Sequence, residues 1–135
     1  AYVLADRSVQ GLSPAGWAGR VAAAAREFGA HAVIAESNQG GEMVRSVLEQ
    51  GKQPCPVRLV RASESKRARA QPVYAFYENN RVRHCGRFPD LEDQLIALGE
   101  GDGGDYDRAD ALVWAVAELM KDADRPSPRV FMLTQ

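Results

Sequence analysis

The period of the apolar residues changes several times along the chain. Near the start, "YVLADRSV" is rich in strand formers and stops at "QGLSP", where Ser13 and Pro14 suit an N-cap and a first helical residue. The next 15 or so residues read as a helix with Trp17, Val21, Ala24 and Phe28 on one face and Gly29 as its C-terminal cap. "AHAVIAES" is a short, nearly continuous apolar run, the pattern of a buried central strand. "GGEMVRSVLEQG" returns to helical period, with Met43, Val44, Val47 and Leu48 as its stripe. "CPVRLVRAS" reads as a third strand, and "SESKRARAQPVYAFYENN" as a helix broken or bent near Pro72. "RVRHCG" predicts a short strand with Val82 inward, and "FPDLEDQLIALG" a helix with Leu91, Leu95 and Leu98 inward. After the glycine-rich "EGDGGD", the strongest helix is "YDRADALVWAVAELMKDA", with Ala111, Val113, Trp114, Ala117 and Leu119 as apolar surface. The tail "DRPSPRVFMLTQ" reads as a linker, a docked arm or an edge strand. Alternating strands and helices define an α/β class, a sheet of three or four strands with helices on both faces.

Composition narrows the function classes. At 135 residues the chain fits one domain with a real core. Its net charge of -1 supplies no global positive field for nucleic acid, although a local basic patch beside an acidic site leaves the same total. Cys55 and Cys85 form no CxxC pair and read as buried, reduced thiols; with only His31 and His84, a His-rich zinc site is not expected. No apolar run approaches the roughly 20 residues of a membrane span. No signal-peptide pattern is visible, so a soluble cytosolic protein is expected. A strand at the very first residues, without an initiator Met, reads as an excised domain.

Two places concentrate carboxylates. Glu36 ends the apolar strand, and ligand sites in open α/β sheets gather beyond such strand ends. Asp107 and Asp110 lie three apart on one face at the start of the last helix. Asp110 borders the apolar "ALVWAVAEL", where a carboxylate is costly unless paired or bound to a cation. Three converging acids would repel one another, and Mg²⁺ or Mn²⁺ would relieve that repulsion. From spacing alone, helix caps, dipole partners and a solvated strand end are the commoner account of the same residues. Lys66, Arg67 and Arg69, within four residues, are the best candidates for phosphate contact; the alternative is a solvated helix face. Asn38 suits a helix cap, and Gly40 and Gly41 allow close approach to a helix N-terminus, which a plain turn also requires. Trp17 and Trp114 read as core residues, and His84 as structural. "GEGDGGDYD" lacks the ligand spacing of an EF-hand.

Taken in order, these pieces resemble the C-terminal nuclease domain of phage, prophage or gene-transfer-agent terminase large subunits, which has the ribonuclease H-like fold shared with Holliday-junction resolvases. The resemblance runs through "YVLADRS", "AVIAESNQGGEMV", "VRASESKRARAQPVYAFYENNRVRH", "FPDLEDQLIAL" and "YDRADALVWAVAELM". Its most specific parts are E-x-N-Q-G-G from Glu36, K-R-A-R-A-x-P from Lys66 and D-x-x-D-A-L-V-W-A from Asp107. It implies a mixed central sheet flanked by helices over residues 1–121, with residues 122–135 as a C-terminal tail. It implies that Glu36, Asp107 and Asp110 are the catalytic metal ligands, holding two Mg²⁺ or Mn²⁺ ions about 4 Å apart for phosphodiester hydrolysis. Lys66, Arg67 and Arg69, with Asn38, Gln39 and Gly40, would then face double-stranded DNA. The implied activity is an endonuclease that cuts concatemeric DNA in the cytoplasm of a bacterial host. The terminase ATPase domain, small subunit and portal are the implied partners. No G-x-x-x-x-G-K-[ST] loop occurs, so the packaging ATPase is not expected in this chain.

"AYVLADRS" matches the family's second strand. The first strand, with its metal-bridging aspartate, is therefore expected to be missing, and weak metal binding with little or no cleavage would follow. Asp6 belongs to a different strand and is expected to be structural. Two other readings stand beside this one: a non-catalytic DNA- or portal-docking module with a degenerate acidic site, and a resolvase-type nuclease acting on branched DNA.

Overall fold

A computed structural model describes residues 1–37, 41–101 and 104–123. Asn38, Gln39, Gly40, part of the glycine-rich loop and the tail beyond residue 123 lie outside the described residues. The elements are β1 (Tyr2–Val3), α1 (Pro14–Glu27), β2 (Val33–Glu36), α2 (Gly41–Gln50), β3 (Val57–Val60), α3 (Lys66–Glu78), β4 (Arg83–His84), α4 (Pro89–Glu100) and α5 (Asp107–Ala123). Strand and helix alternate over the first two-thirds of the chain, as the pattern predicts.

The described strands form two parallel pairs, β1 with β4 and β2 with β3. Residue period does not encode strand direction or order, so the parallel pairing is information from the tertiary structure. In the second pair Val33 faces Val57 and Glu36 faces Val60. The ladder runs one residue further, because the Ser37 amide donates to the Val60 carbonyl at 2.8 Å. That bond holds the strand end on which Glu36 sits. β2 is half-buried along its length instead of fully buried, since the described residues hydrogen-bond it along one edge only.

α1 starts where Ser13 accepts the Gly16 amide at 3.2 Å, with Pro14 as first helical residue. Its buried face is Ala18, Ala22 and Ala25, not the expected Trp17, Val21, Ala24 and Phe28. An alanine-rich helix offers two apolar faces, and close packing against α2 selects the smaller side chains. A Cβ at Gly51, just beyond α2, would sit 2.9 Å from the Ala18 Cβ and 3.0 Å from its carbonyl oxygen. Gln53 tightens the same contact by donating to the carbonyls of Ala18 and Leu48, each at 3.1 Å. The larger α1 face lines a cavity of 610 Å³ with Leu4, Val9 and Ala115. On α2, Leu48 is buried as expected, whereas Met43 points outward.

The main core joins β1 and β4 to α3, α4 and α5. Val3, Val73, Val82, Leu91, Leu95 and Leu98 belong to it, together with Val113, Val116 and Met120 of α5. The α4 leucines and Val82 are inward as the pattern predicts. On α5 the buried line runs through Ala109, Asp110, Val113, Val116 and Met120, while Leu119 is 57% exposed and Ala111 also faces out. α5 is apolar nearly all round, so period alone does not select its inner face. α3 continues through Pro72, whose ring lies on the exposed side. Cys55 and Cys85 are free thiols; Cys85 lies on the surface rather than in the core.

Candidate active site

Glu36 leaves the end of β2, and Asp107 and Asp110 stand in the first turn of α5. α5 is placed there from outside itself. The Gln94 side chain, on α4, accepts the amides of Arg108 at 3.1 Å and Ala109 at 3.2 Å, two of the orphan donors at the helix start. Gln94→Ala is expected to cost about 1 kcal/mol of stability, the usual value of a side-chain cap, read as a lowered denaturation midpoint. Ionised aspartates in this turn also suit the positive end of the helix dipole.

The three sequence-predicted acids divide in two. Glu36 and Asp110 come together, and Asp110 is almost closed to solvent, its side chain 6% exposed. Asp107 stands on the rim, 81% exposed, and takes a 2.7 Å bond from the Lys66 ammonium. The Lys66 hydrogen bond holds the Asp107 carboxyl below the usual aspartate range, and the same bond raises the Lys66 pKa. Asp110 behaves oppositely. Burial pushes its pKa up, Arg69 opposes the rise, and a hydrogen bond and the negative charge of Glu36 add to it.

Arg69 faces both inner acids. One of its terminal nitrogens donates to both Asp110 oxygens, at 2.9 and 2.8 Å, and lies 3.6 Å from a Glu36 oxygen. The other donates to the Glu64 carbonyl at 2.5 Å. The guanidinium lies 4.9 Å from the centre of the Trp114 ring, a cation–π contact. The Trp114 indole N–H in turn donates to Glu36 at 2.7 Å. Of the three sequence-predicted bases, Lys66 and Arg69 are thus turned onto the acids, and Arg67 is exposed beside Gly101 at the end of α4.

Glu36, Lys66, Asp107, Asp110 and Trp114 border one open pocket of 430 Å³, which Val44 of α2 closes on a further side. Gly41, at the α2 start, has no room for a side chain: a Cβ there would lie 2.8 Å from the Ser37 Cβ. Asn38, Gln39 and Gly40 fall outside the described residues, between this turn and Glu36. Asp6 is in a turn, accepting the Ser8 amide at 2.9 Å and an Arg108 bond at 2.6 Å, and does not border the pocket. His84 bonds Tyr77 at 2.7 Å and Glu92 at 3.1 Å, also away from the pocket.

Two site residues escape a reading by sequence. Trp114 reads as core, yet it touches both Glu36 and Arg69. Its signal is the spacing of four from Asp110, which puts ring and carboxylate on one helix face. Gln94 has no such signal, because its partner amides lie on another helix.

Glu36 and Asp110 are hard oxygen donors on an open pocket. They suit one Mg²⁺ or Mn²⁺ ion of the kind that keeps most of its waters and takes one or two carboxylates. Among the described residues no three Asp, Glu, His or Cys side chains converge to hold a metal, so they do not furnish a full ligand set for two.

Parallel strands, covering helices and a pocket of facing acids and bases beyond a strand end define an α/β domain with a polar, charge-lined site. The chain belongs to the terminase RNaseH-like domain family, which it matches over residues 1–119. It is therefore an RNase H-like, nuclease-type module of the terminase kind, from a class of nucleases in which divalent metals are usual. The family implies DNA and packaging proteins as partners. No curated protein and no solved structure matches the chain. No helix among the described residues is long and apolar enough to cross a membrane.

Proposed function

We propose that this domain, residues 1–121, is the metal-dependent DNA endonuclease of a viral DNA-packaging terminase and acts on concatemeric DNA in the bacterial cytoplasm. The observation that carries the reading is the meeting of Glu36 and Asp110 at one pocket, with Asp107, Lys66 and Arg69 around it. Glu36 and Asp110 would hold the ion, with Asp107, at the rim of the same pocket, as partner or second ligand. A divalent ion supplies an activated water and charge stabilisation at the phosphate, and family chemistry calls for a second ion.

The remaining work belongs to the chain itself. Trp114 orients Glu36 by its indole bond, so the carboxylate is fixed before an ion arrives. The α5 start, capped by Gln94, fixes Asp110. Lys66 at the rim and the exposed Arg67 offer charge to phosphates that approach the pocket mouth. Asn38, Gln39 and Gly40, next to Glu36 in sequence, complete the proposed DNA-facing set.

The test is isothermal titration with Mn²⁺. A saturable site is expected in the wild-type chain, lost in Glu36→Ala and in Asp110→Ala. Absence of any site in both the wild type and Arg69→Gln would favour a docking module instead. Parallel assays on linear and four-way-junction DNA separate a packaging nuclease from a resolvase.

A further inference from the structure

Arg69 has two features that a simple DNA-contacting arginine does not need. Its side chain is 10% exposed, and its Nε is buried without a hydrogen-bond partner among the described residues. One of its terminal nitrogens also approaches both acids, engaging both Asp110 oxygens and lying 3.6 Å from Glu36. Those oxygens are the ones the proposed ion requires. A guanidinium and a divalent ion cannot both take them.

We infer that Arg69 is the resident counter-cation of the acidic pair and is exchanged for the divalent ion when the site loads, after which its guanidinium turns to a DNA phosphate. This rests on the metal reading of Glu36 and Asp110. The physical reason is charge balance. A buried Asp110 beside a half-buried Glu36 needs a positive partner when no metal ion is bound, and Arg69 supplies it at 2.8 Å from Asp110. Once an ion supplies that charge, the guanidinium is repelled and loses its Asp110 acceptors, keeping the Glu64 carbonyl as the pivot of its movement. The neighbours allow the movement: Lys66 at the mouth is tied to Asp107, not to Asp110, and the Trp114 face is a flat surface along which the guanidinium slides. The Nε, buried without a partner in this arrangement, gains a phosphate oxygen as acceptor once the guanidinium has turned outward. The bases and acids of this site then act in sequence, because the group that reads DNA is withheld until metal is present.

Linkage makes the exchange measurable. If Arg69 and the ion compete, removing the guanidinium tightens the ion. Mn²⁺ titrated into Arg69→Gln is expected to bind about tenfold tighter than into wild type, or to reveal a site that wild type masks. Gln is chosen because it removes the charge but keeps a polar, uncharged side chain of similar stem, and a circular-dichroism melt checks that the variant folds. A second measurement needs no change at Arg69. In a Trp17→Phe background, Trp114 is the remaining tryptophan, and Mg²⁺ at saturation is expected to shift its emission as the guanidinium leaves the ring.

DNA binding supplies the third readout, with Ca²⁺ as the ion and a short duplex as the probe. Arg69→Gln is expected to weaken duplex binding several-fold in Ca²⁺ and to leave it unchanged in EDTA, whereas Arg67→Ala weakens it in both. Mn²⁺ affinity in Arg69→Gln no tighter than wild type, or Trp114 emission unmoved at saturating Mg²⁺, overturns the exchange while the metal site stands. Mn²⁺ binding that survives Glu36→Ala and Asp110→Ala overturns the metal site itself.

Discussion

With the family's first-strand aspartate restored to the domain, Asp110→Asn is expected to lower Mn²⁺-dependent cleavage of supercoiled plasmid by about 100-fold or more, the scale of losing several kcal/mol of metal-borne stabilisation. Asparagine keeps the volume and planar shape of the side chain, so the packing of α5 against α3 survives. It removes the formal charge that a hard dication requires. The variant is expected to stay folded. An amide avoids the cost of burying a carboxylate at this nearly closed position, and Glu36 still faces Arg69 as a counter-charge. Single-turnover reactions with protein in excess read slow rates, and a circular-dichroism melt separates lost chemistry from lost structure. Lys66→Ala serves as the contrast: its loss at the pocket rim weakens DNA binding more than the rate at saturating protein. An Asp110→Asn protein that cuts at the wild-type rate would remove Asp110 from the site.

The second large effect falls on stability. Arg69→Met is expected to destabilise the fold by about 3–5 kcal/mol, the usual cost of removing one partner from a buried ion pair. The arginine and Asp110 side chains are 10% and 6% exposed, so solvent screens the pair little. Most of the cost is the stranded charge, not lost packing, because methionine fills much of the arginine stem's volume. Adding Asp110→Asn to Arg69→Met should therefore recover a large part of the loss, a coupling that a double-mutant cycle reads directly.

The deficit also depends on pH, with a definite sign. Burial raises the Asp110 pKa in the folded state, and the group contributes stability that is present at acid pH and lost as pH rises through that folded value. Without Arg69 to oppose the rise, the folded value goes higher still. The gap between wild type and Arg69→Met should narrow toward acid pH and widen toward neutrality. Asp107 carries the opposite sign: Lys66 lowers its pKa, and its share of stability is lost as pH falls through the folded value. Urea denaturation of both proteins across acid and neutral pH measures the two trends. A gap that does not change with pH would mean that packing, not the stranded carboxylate, carries the loss.

Much of this was legible in the residues, for reasons that can be named. Ser13–Pro14 marks the start of α1, and Leu91, Leu95 and Leu98 mark the inner face of α4, because caps and helical period are local properties. The acidic and basic motifs were legible as candidates because Glu36 ends an apolar run and Asp107 and Asp110 lie on one face. Elements apolar on more than one side were not readable in this way. α1 buried its alanines instead of Trp17, Val21, Ala24 and Phe28, and α5 turned Ala111 and Leu119 outward, since only the neighbouring helix decides which apolar face is used.

The sequence by itself determined the order of elements, the α/β class, the resemblance to a terminase nuclease domain and the residues able to carry charge chemistry. Tertiary structure decided how those charges combine. It set Glu36 and Asp110 together across 74 residues of chain, left Asp107 on the rim with Lys66, and drew Arg69 and Trp114 inward. The capping of α5 by Gln94 was likewise a tertiary fact. The physical reason is that a residue's type and its near neighbours set its local conformation, whereas pairing of buried charges depends on which elements pack against one another, and that information is held between segments and not within any one of them.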